Sequence, residues 1–184
     1  MSAVGLIVAK SQIPNAGEGV FTTNHILADT TILEYTGDFV NEESLTDDQA
    51  IYAVDIGFGI SIIGNNIASK INDIIMFDKL DSDATRELIF NDIIPTYPDK
   101  QYNCKFVVEK NGIFGRAFIK TICDIEPNTE LYIKYGSNYW LHRFLVSDLV
   151  DAELVRKYRT LKFASVASPT SPTLTTPTTE VSCM

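Results

Sequence analysis

The chain has 184 residues, 45% hydrophobic and 21% charged, enough for one globular domain with its own core, and it lacks the ~20-residue apolar run of a membrane span. A net charge of -9 repels phosphate backbones, which disfavours direct nucleic-acid binding and makes a basic peptide a natural partner. Cys104, Cys123 and Cys183 are scattered and form no C-x-x-C pair, so neither a disulfide framework nor a structural zinc is expected.

In chain order, the opening "MSAVGLIVAKSQ" has no basic start and no long apolar stretch, which argues against a secretory leader and for an intracellular protein. "GLIVAKS" is a short β-prone run. "GVFTT" follows a Gly-rich turn, and "TTILEYTGDFV" is a β-branched and aromatic run. "AIYAVDIGFGISIIG" predicts a hairpin turning at Gly57 and Gly59. "DSDATRELIFNDII" predicts a short helix capped by Ser82 or Asp83 and ended by Pro95. "CKFVVEKNGIFGRAFIKTICDI" predicts a second hairpin with Asn111-Gly112 at its tip, with Cys104 and Cys123 as small core residues. "TELYIKYG" predicts another strand. Many short strands at close spacing point to a mainly β domain rather than a doubly wound one.

Toward the C-terminus, Ser147 caps a helical pattern in which Val150, Leu154, Tyr158 and Leu161 share one face. That helix is expected to pack on the domain or on a second subunit, which leaves a homodimer open. From Ala164 onward the Ser, Thr and Pro composition cannot bury enough apolar area to fold, so a disordered tail is expected.

Four stretches carry candidate chemistry. "NAGEGVF" puts Gly17 and Gly19 around Glu18 before a strand; most such turns are only turns, but glycines also let backbone approach a ligand. It is no dinucleotide fingerprint, because the third glycine and the following helix are missing. "LEYTGDFV" places Tyr35 at a strand end, where a ring is ordinarily buried with its hydroxyl reaching water. "GNNIASKIND" holds three asparagines ending in Asn72-Asp73 before the apolar "IIMF"; these groups either satisfy local turns or hold a polar ligand. "ELYIKYGSNYW" carries Tyr132, Tyr135, Tyr139 and Trp140 through a glycine turn. The rings are either core packing or a narrow slot that attracts cations and excludes water.

In this order the stretches resemble the SET-domain protein lysine methyltransferases, over roughly Val4 to Trp140. "AGEGVF" resembles the family's G-x-G turn and "EYTG" its Y-x-G motif. "NIASKIND" resembles N-x-A-R-x-I-N-H-S, "YNCKF" the N-C-x-F that follows, and "NTELYIKYG" the E-E-L-T-x-x-Y-G motif. The closing "YGSNYW", with Arg143 after it, is most similar to the compact virus-encoded SET histone methyltransferases. Asp73 stands where the family has His, and Ser69 where Arg is common. Residues 74–101 interrupt a motif that is otherwise continuous, and the zinc cysteines that follow the domain in many relatives are missing.

The resemblance implies a mainly β (β+α) SET-domain β-clip fold of several small sheets with short helices and a C-terminal helix. The domain would span 1–142 with the insertion 74–101, followed by the helix 143–163 and the tail 164–184. It implies S-adenosyl-L-methionine as cofactor, no metal, and a lysine of a basic protein such as a histone tail as acceptor. Gly17, Glu18 and Gly19 would bring backbone to the methionine end of the cofactor. Asn72 would bind that end with its amide, Asp73 chiefly through its backbone, and Trp140 would carry the adenine. Tyr135 matches the catalytic tyrosine that orients amine and sulfonium. Tyr35, Tyr132 and Tyr139 would line the substrate channel. Ile133 falls where relatives carry the Phe or Tyr that limits the number of methyl groups. A nuclear place of action, in a host cell for a viral protein, or a cytoplasmic one would follow. The alternative is a catalytically inactive SET-fold module that binds peptides or serves a structural role.

Overall fold

The computed structural model describes residues 5–76, 91, 95–110, 115–136, 139–140, 143 and 156. The helix expected near Ser82 and Asp83, the tip at Asn111-Gly112, the C-terminal helix and the tail lie outside the described residues, apart from isolated positions. No described helix is long and apolar enough to cross a membrane.

The described strands form three small antiparallel sheets, so the chain is mostly β with few helices. β1 (Leu6–Lys10) pairs with β2 (Glu18–Thr22), from Leu6 opposite Thr22 to Lys10 opposite Glu18. β4 (Gly37–Asn41) and β5 (Ala53–Gly57) flank β6 (Ile60–Gly64). β8 (Gly115–Thr121) lies between β3 (Thr31–Tyr35) and β7 (Cys104–Lys110). A four-residue helix α1 (Asp47–Ala50) has a capping box made by Thr46 and Gln49, which satisfies donors at its first turn.

The sheets face one core. Along β8 the buried positions alternate, with Ala117, Ile119 and Thr121 fully covered and the residues between them more open, as a strand with one face on the core requires. Val20, Ile56, Leu131 and Ile133 meet them from the other elements. Each such aliphatic side chain contributes about 1.5–3 kcal/mol by leaving water.

The hairpin of β5 and β6 turns on Phe58 (φ 59°) and Gly59 (φ 69°), the pair of positive φ values that matches strand twist in a two-residue loop. The run "TTILEYTGDFV" is two strands, not one. Tyr35 pairs with Ala117, while Gly37, two residues on, pairs with Gly64 in a different sheet. A Cβ at Gly37 would run into the Ile63 carbonyl oxygen, so the crossing between sheets requires glycine. Cys123 also differs from expectation. It is exposed, whereas Cys104 is buried with its thiol pushed up to about 12 by burial. Cys123 falls in the bend after β8, where the chain leaves the core.

The interruption at 74–101 closes on itself. The Tyr97 N–H donates to the Ile74 carbonyl and the Met76 N–H to the Pro95 carbonyl, both at 2.9 Å, and Ile75 lies opposite Thr96. The extra residues therefore leave and return at one place, and they bring Tyr102 back beside Asp73. Long excursions closed in this way cost little additional entropy.

The stretch "TELYIKYG" does not form a strand of a sheet. Its neighbours change at every step. The Leu131 N–H donates to the Val20 carbonyl (2.8 Å), the Ile133 N–H to the Asn72 carbonyl (2.9 Å), and the Tyr132 carbonyl accepts from the Cys104 N–H (3.0 Å). The Asn103 amide completes the pairing, donating to the Glu130 carbonyl and accepting from the Tyr132 N–H, each at 2.8 Å. Three separate parts of the chain meet along four residues.

At their junction lies the carboxylate of Glu130, 1% exposed. Its Oε1 accepts from Ser11 Oγ (2.7 Å) and Asn72 Nδ2 (3.4 Å); its Oε2 accepts from the Gln12 N–H (2.7 Å) and the Tyr132 hydroxyl (2.9 Å). A buried charge is tolerable when its oxygens are saturated in this manner. Gly19 packs so closely on this carboxylate that a Cβ would overlap it.

Two outcomes follow for urea denaturation. Gly37→Ala should lower stability by about 2 kcal/mol through overpacking against fixed backbone. Glu130→Ala should lower it by about 3 kcal/mol, because it leaves buried donors unpaired, and Glu130→Gln should lose less. A wild-type midpoint in either alanine variant contradicts the geometry.

Candidate active site

Two cavities open on the ring cluster that follows the crossing segment. The first, of about 800 Å³, is bounded by the loop of Ile13 to Ala16, Glu18, Lys70, Asn72, Asp73 and Trp140. The second, of about 440 Å³, is bounded by Tyr35, Leu45, Ala50, Ile71, Phe106 and Val108. Ile51, Tyr52, Ser69, Tyr135 and Tyr139 line both. One partition of two tyrosine rings therefore faces a polar chamber on one side and a more apolar one on the other.

The loop at the first cavity is held by its own backbone. The Ser11 N–H donates to the Gly17 carbonyl (2.9 Å) and the Ala16 N–H to the Ile13 carbonyl (3.2 Å). Asn15 (φ 64°) and Gly17 (φ 74°) are both left-handed, so the loop reverses sharply. Of Gly17, Glu18 and Gly19, it is Glu18 that lines the cavity. Gly17 supplies the turn and Gly19 the space for Glu130. Asn72 lines the cavity too, and its Nδ2 donates to the Glu18 carbonyl at 2.8 Å, which locks the loop to the segment after the 3₁₀ turn of Ile67–Lys70. Lys70 pairs with the Glu18 carboxylate across the rim.

Asp73 was expected to act chiefly through its backbone, but its side chain is the more heavily engaged part. It is 5% exposed. Its Oδ1 accepts from the Tyr102 hydroxyl (2.6 Å), and its Oδ2 accepts from the Tyr135 N–H and from Trp140 Nε1, both at 2.9 Å. Burial raises its carboxyl above the usual range, against the pull of these hydrogen bonds.

Tyr135 is at the centre of the ring cluster. Its hydroxyl donates to the Ile71 carbonyl at 2.7 Å. Its ring meets Tyr139 edge-on (4.6 Å, 71°) and lies nearly parallel to Trp140 (6.1 Å, 14°). Burial pushes the Tyr135 phenol well above its ordinary value and raises that of Tyr139 as well. Both stay protonated at neutral pH. Across the second cavity Tyr35 is 4% exposed, donates to the Tyr52 carbonyl at 2.8 Å and meets Phe106 edge-on. Its hydroxyl does not reach water, unlike an ordinary strand-end tyrosine.

Tyr132 stands apart from the other three rings of its stretch. It lines neither cavity. Its ring packs with Ile13 and Ile74, and its hydroxyl serves Glu130. It is three residues before Tyr135 on a segment without strand periodicity, so the two rings face different surroundings. Ile133 is 1% exposed and belongs to the core, outside both cavities. Sequence reasoning missed Tyr52, Tyr102 and Glu130. Tyr102 precedes the N-C-x-F stretch and Glu130 is the second glutamate of the E-E-L-T-x-x-Y-G pattern, so both could have been flagged there; nothing local marks Tyr52.

A scan against family models matches residues 17–136 to the SET domain. A comparison with curated protein sequences finds no significant match. Among solved structures the chain is similar to a proposed histone methyltransferase of Plasmodium falciparum, with 14% identity, TM-score 0.51, and coverage of 74% of this chain and 97% of that one. It is similar to the S-adenosylmethionine-bound, autoinhibited Polycomb Repressive Complex 2 of Chaetomium thermophilum, with 19% identity, TM-score 0.54, and coverage of 86% of this chain but only 17% of that one. It is also similar to ATXR5 in complex with a mono-methylated histone H3.1, with 23% identity, TM-score 0.51, and coverage of 71% and 56%. Likeness at these identities shows a common fold, and the family model spans more than half of the chain. With the motifs in order and the β architecture described above, this chain belongs to the SET-domain family.

Proposed function

We propose that the chain is an S-adenosylmethionine-dependent protein-lysine N-methyltransferase acting on a basic protein segment such as a histone tail. The observation that carries this reading is the pair of cavities divided by Tyr135 and Tyr139. One reactant on each side would meet across those rings.

The first cavity fits the cofactor. Its volume lies within the ~300–1,000 Å³ of small-molecule sites. Lys70 and Arg143 offer cations to a carboxylate, Glu18 an anion to an ammonium, and Trp140 and Tyr97 aromatic faces to a purine. When bound, the cofactor supplies a methyl group activated on a sulfonium sulfur. The second cavity, with Phe106, Val108 and Ile71 in its walls, suits the alkyl stem of a lysine.

Little is left for the protein beyond alignment and exclusion of water. Tyr135, fixed at its hydroxyl by Ile71 and at its N–H by Asp73, orients the incoming amine, which alignment can favour by roughly 7–11 kcal/mol at the limit. The amine must arrive neutral although its free pKa is about 10.4. A dry passage and a nearby positive charge both lower that value. The ring faces attract cations.

The stretch that supplies part of the second cavity is acidic. Between Gly37 and Ser69 lie Asp38, Glu42, Glu43, Asp47, Asp48 and Asp55, with no Lys or Arg. Leu45, Ala50 and Asp55 of this stretch line the cavity. Such a field draws in a basic segment and repels an acidic one. The histone ligand of ATXR5 supports the same substrate class, and a histone substrate implies action in the nucleus. The intact hydrogen bonding of Asp73 favours a working site over an inactive module. A homodimer built on the C-terminal helix stays a separate proposal.

Tyr135→Phe should reduce methyl transfer from radiolabelled cofactor to a histone panel by about a hundredfold or more. Cofactor affinity measured by calorimetry should change much less. Near-wild-type turnover in that variant removes the assignment, and wild-type protein that binds no cofactor removes the whole reading.

A further inference from the structure

We propose that the Asp73 side chain is a positioning residue, which docks the Trp140 indole and the returning Tyr102 against the Tyr135 backbone and thereby closes the first cavity. The proposal rests on the methyltransferase reading for its effect on turnover, but not for the contact itself.

Three donors from three parts of the chain converge on one carboxylate. Tyr102 comes from the end of the 74–101 excursion, Tyr135 from the crossing segment, and Trp140 from the residues that follow the Gly136 turn. Two of these donors, the Tyr135 N–H and Trp140 Nε1, share the same oxygen at 2.9 Å. An ionised carboxylate is an acceptor at every lone pair and accommodates all three. A neutral imidazole, the group that the family carries at this position, has a single acceptor nitrogen and cannot serve both N–H donors and a hydroxyl together. The departure from the family pattern is therefore matched by its surroundings.

Trp140 lines the first cavity, lies nearly parallel to Tyr135 at 6.1 Å and meets Tyr139 edge-on at 5.1 Å. Ring contacts of this kind are largely apolar and do not by themselves set where the indole N–H points. Its orientation over the cavity is fixed through its Nε1 by Asp73. Tyr102, whose phenol is held up by burial and by Asp73, stays a donor at neutral pH. The base of the excursion is thus tied to the wall of the cavity. Loss of the carboxylate removes the polar tether of the indole and leaves the Tyr135 N–H without its acceptor, so the main effect should fall on cofactor binding.

Asparagine can imitate the arrangement. With its oxygen toward Tyr135 and Trp140 and its amide nitrogen toward Tyr102, whose hydroxyl can accept, each of these three bonds has a counterpart. Alanine cannot. Trp140 is the only tryptophan of the chain, so tryptophan emission reports on the surroundings of this one indole. In ligand-free full-length protein, Asp73→Ala should shift the Trp140 emission maximum, and Asp73→Asn should leave it close to wild type. In steady-state assays, Asp73→Ala should raise the KM for S-adenosylmethionine about tenfold, with a smaller change in kcat, and Asp73→Asn should restore most of that loss. Should Asp73→Ala melt below the assay temperature, Asp73→Ser takes its place, because its single oxygen falls a bond short of the donors.

An unshifted emission maximum in folded Asp73→Ala or Asp73→Ser overturns the proposal. A shifted maximum with an unchanged KM overturns the part concerning the cavity. Failure of wild-type protein to transfer any methyl group would instead count against the enzymatic reading, while the emission shift would still decide the docking contact.

Discussion

The architecture depends on a buried carboxylate that has exchanged water for four protein donors. Glu130 connects Ser11 and Gln12, ahead of the first glycine turn, to Asn72 and to Tyr132. Those segments carry the loop, the amide and the rings of the site. Their relative placement follows from satisfying one charge, because any displacement strands either the carboxylate or a donor in a dry interior. Gly19 belongs to the same constraint, since only hydrogen fits against the carboxylate. The glycines of the "GEG" turn are thus explained by what they leave room for as much as by the turn that they allow.

A second carboxylate repeats the device one layer nearer to the cavity. Asp73 is buried, shifted upward by that burial, and spends its oxygens on Tyr102, Tyr135 and Trp140. Glu130 fixes the frame and Asp73 fixes the aromatic wall. Between them the Tyr135 ring is held at its hydroxyl, its backbone and both neighbouring rings. A catalytic group that moves protons needs a matched pKa. In the proposed methyl transfer a group that only aligns reactants needs to be held in place, and these contacts hold Tyr135.

Much of the fold was legible because it is local. The hairpin at Phe58-Gly59 and the paired β7 and β8 are written in alternation and turn residues within a few positions of each other. The site motifs were legible as an ordered set. What could not be read is what depends on distant partners. Nothing near Thr36 tells that Tyr35 and Gly37 belong to different sheets. Nothing in "TELYIKYG" tells that its apparent strand is a passage between other segments, or that Tyr132 turns toward Ile13 and Glu130 while Tyr135 faces the cavities. The purpose of Asp73 could not be read, because the residues that need its two oxygens come from beyond the interruption at 74–101 and from beyond Gly136.

The crossing segment also has a temporal consequence. The Ser11–Glu130 hydrogen bond joins residues 119 positions apart, and contacts of such range are made late and slowly. A nascent polypeptide that has emerged only as far as β8 can already zip its hairpins, yet it owns neither the partition of tyrosines nor the charge that aligns them. The partition of tyrosines is therefore complete only once this short stretch lies between segments that precede it in the chain.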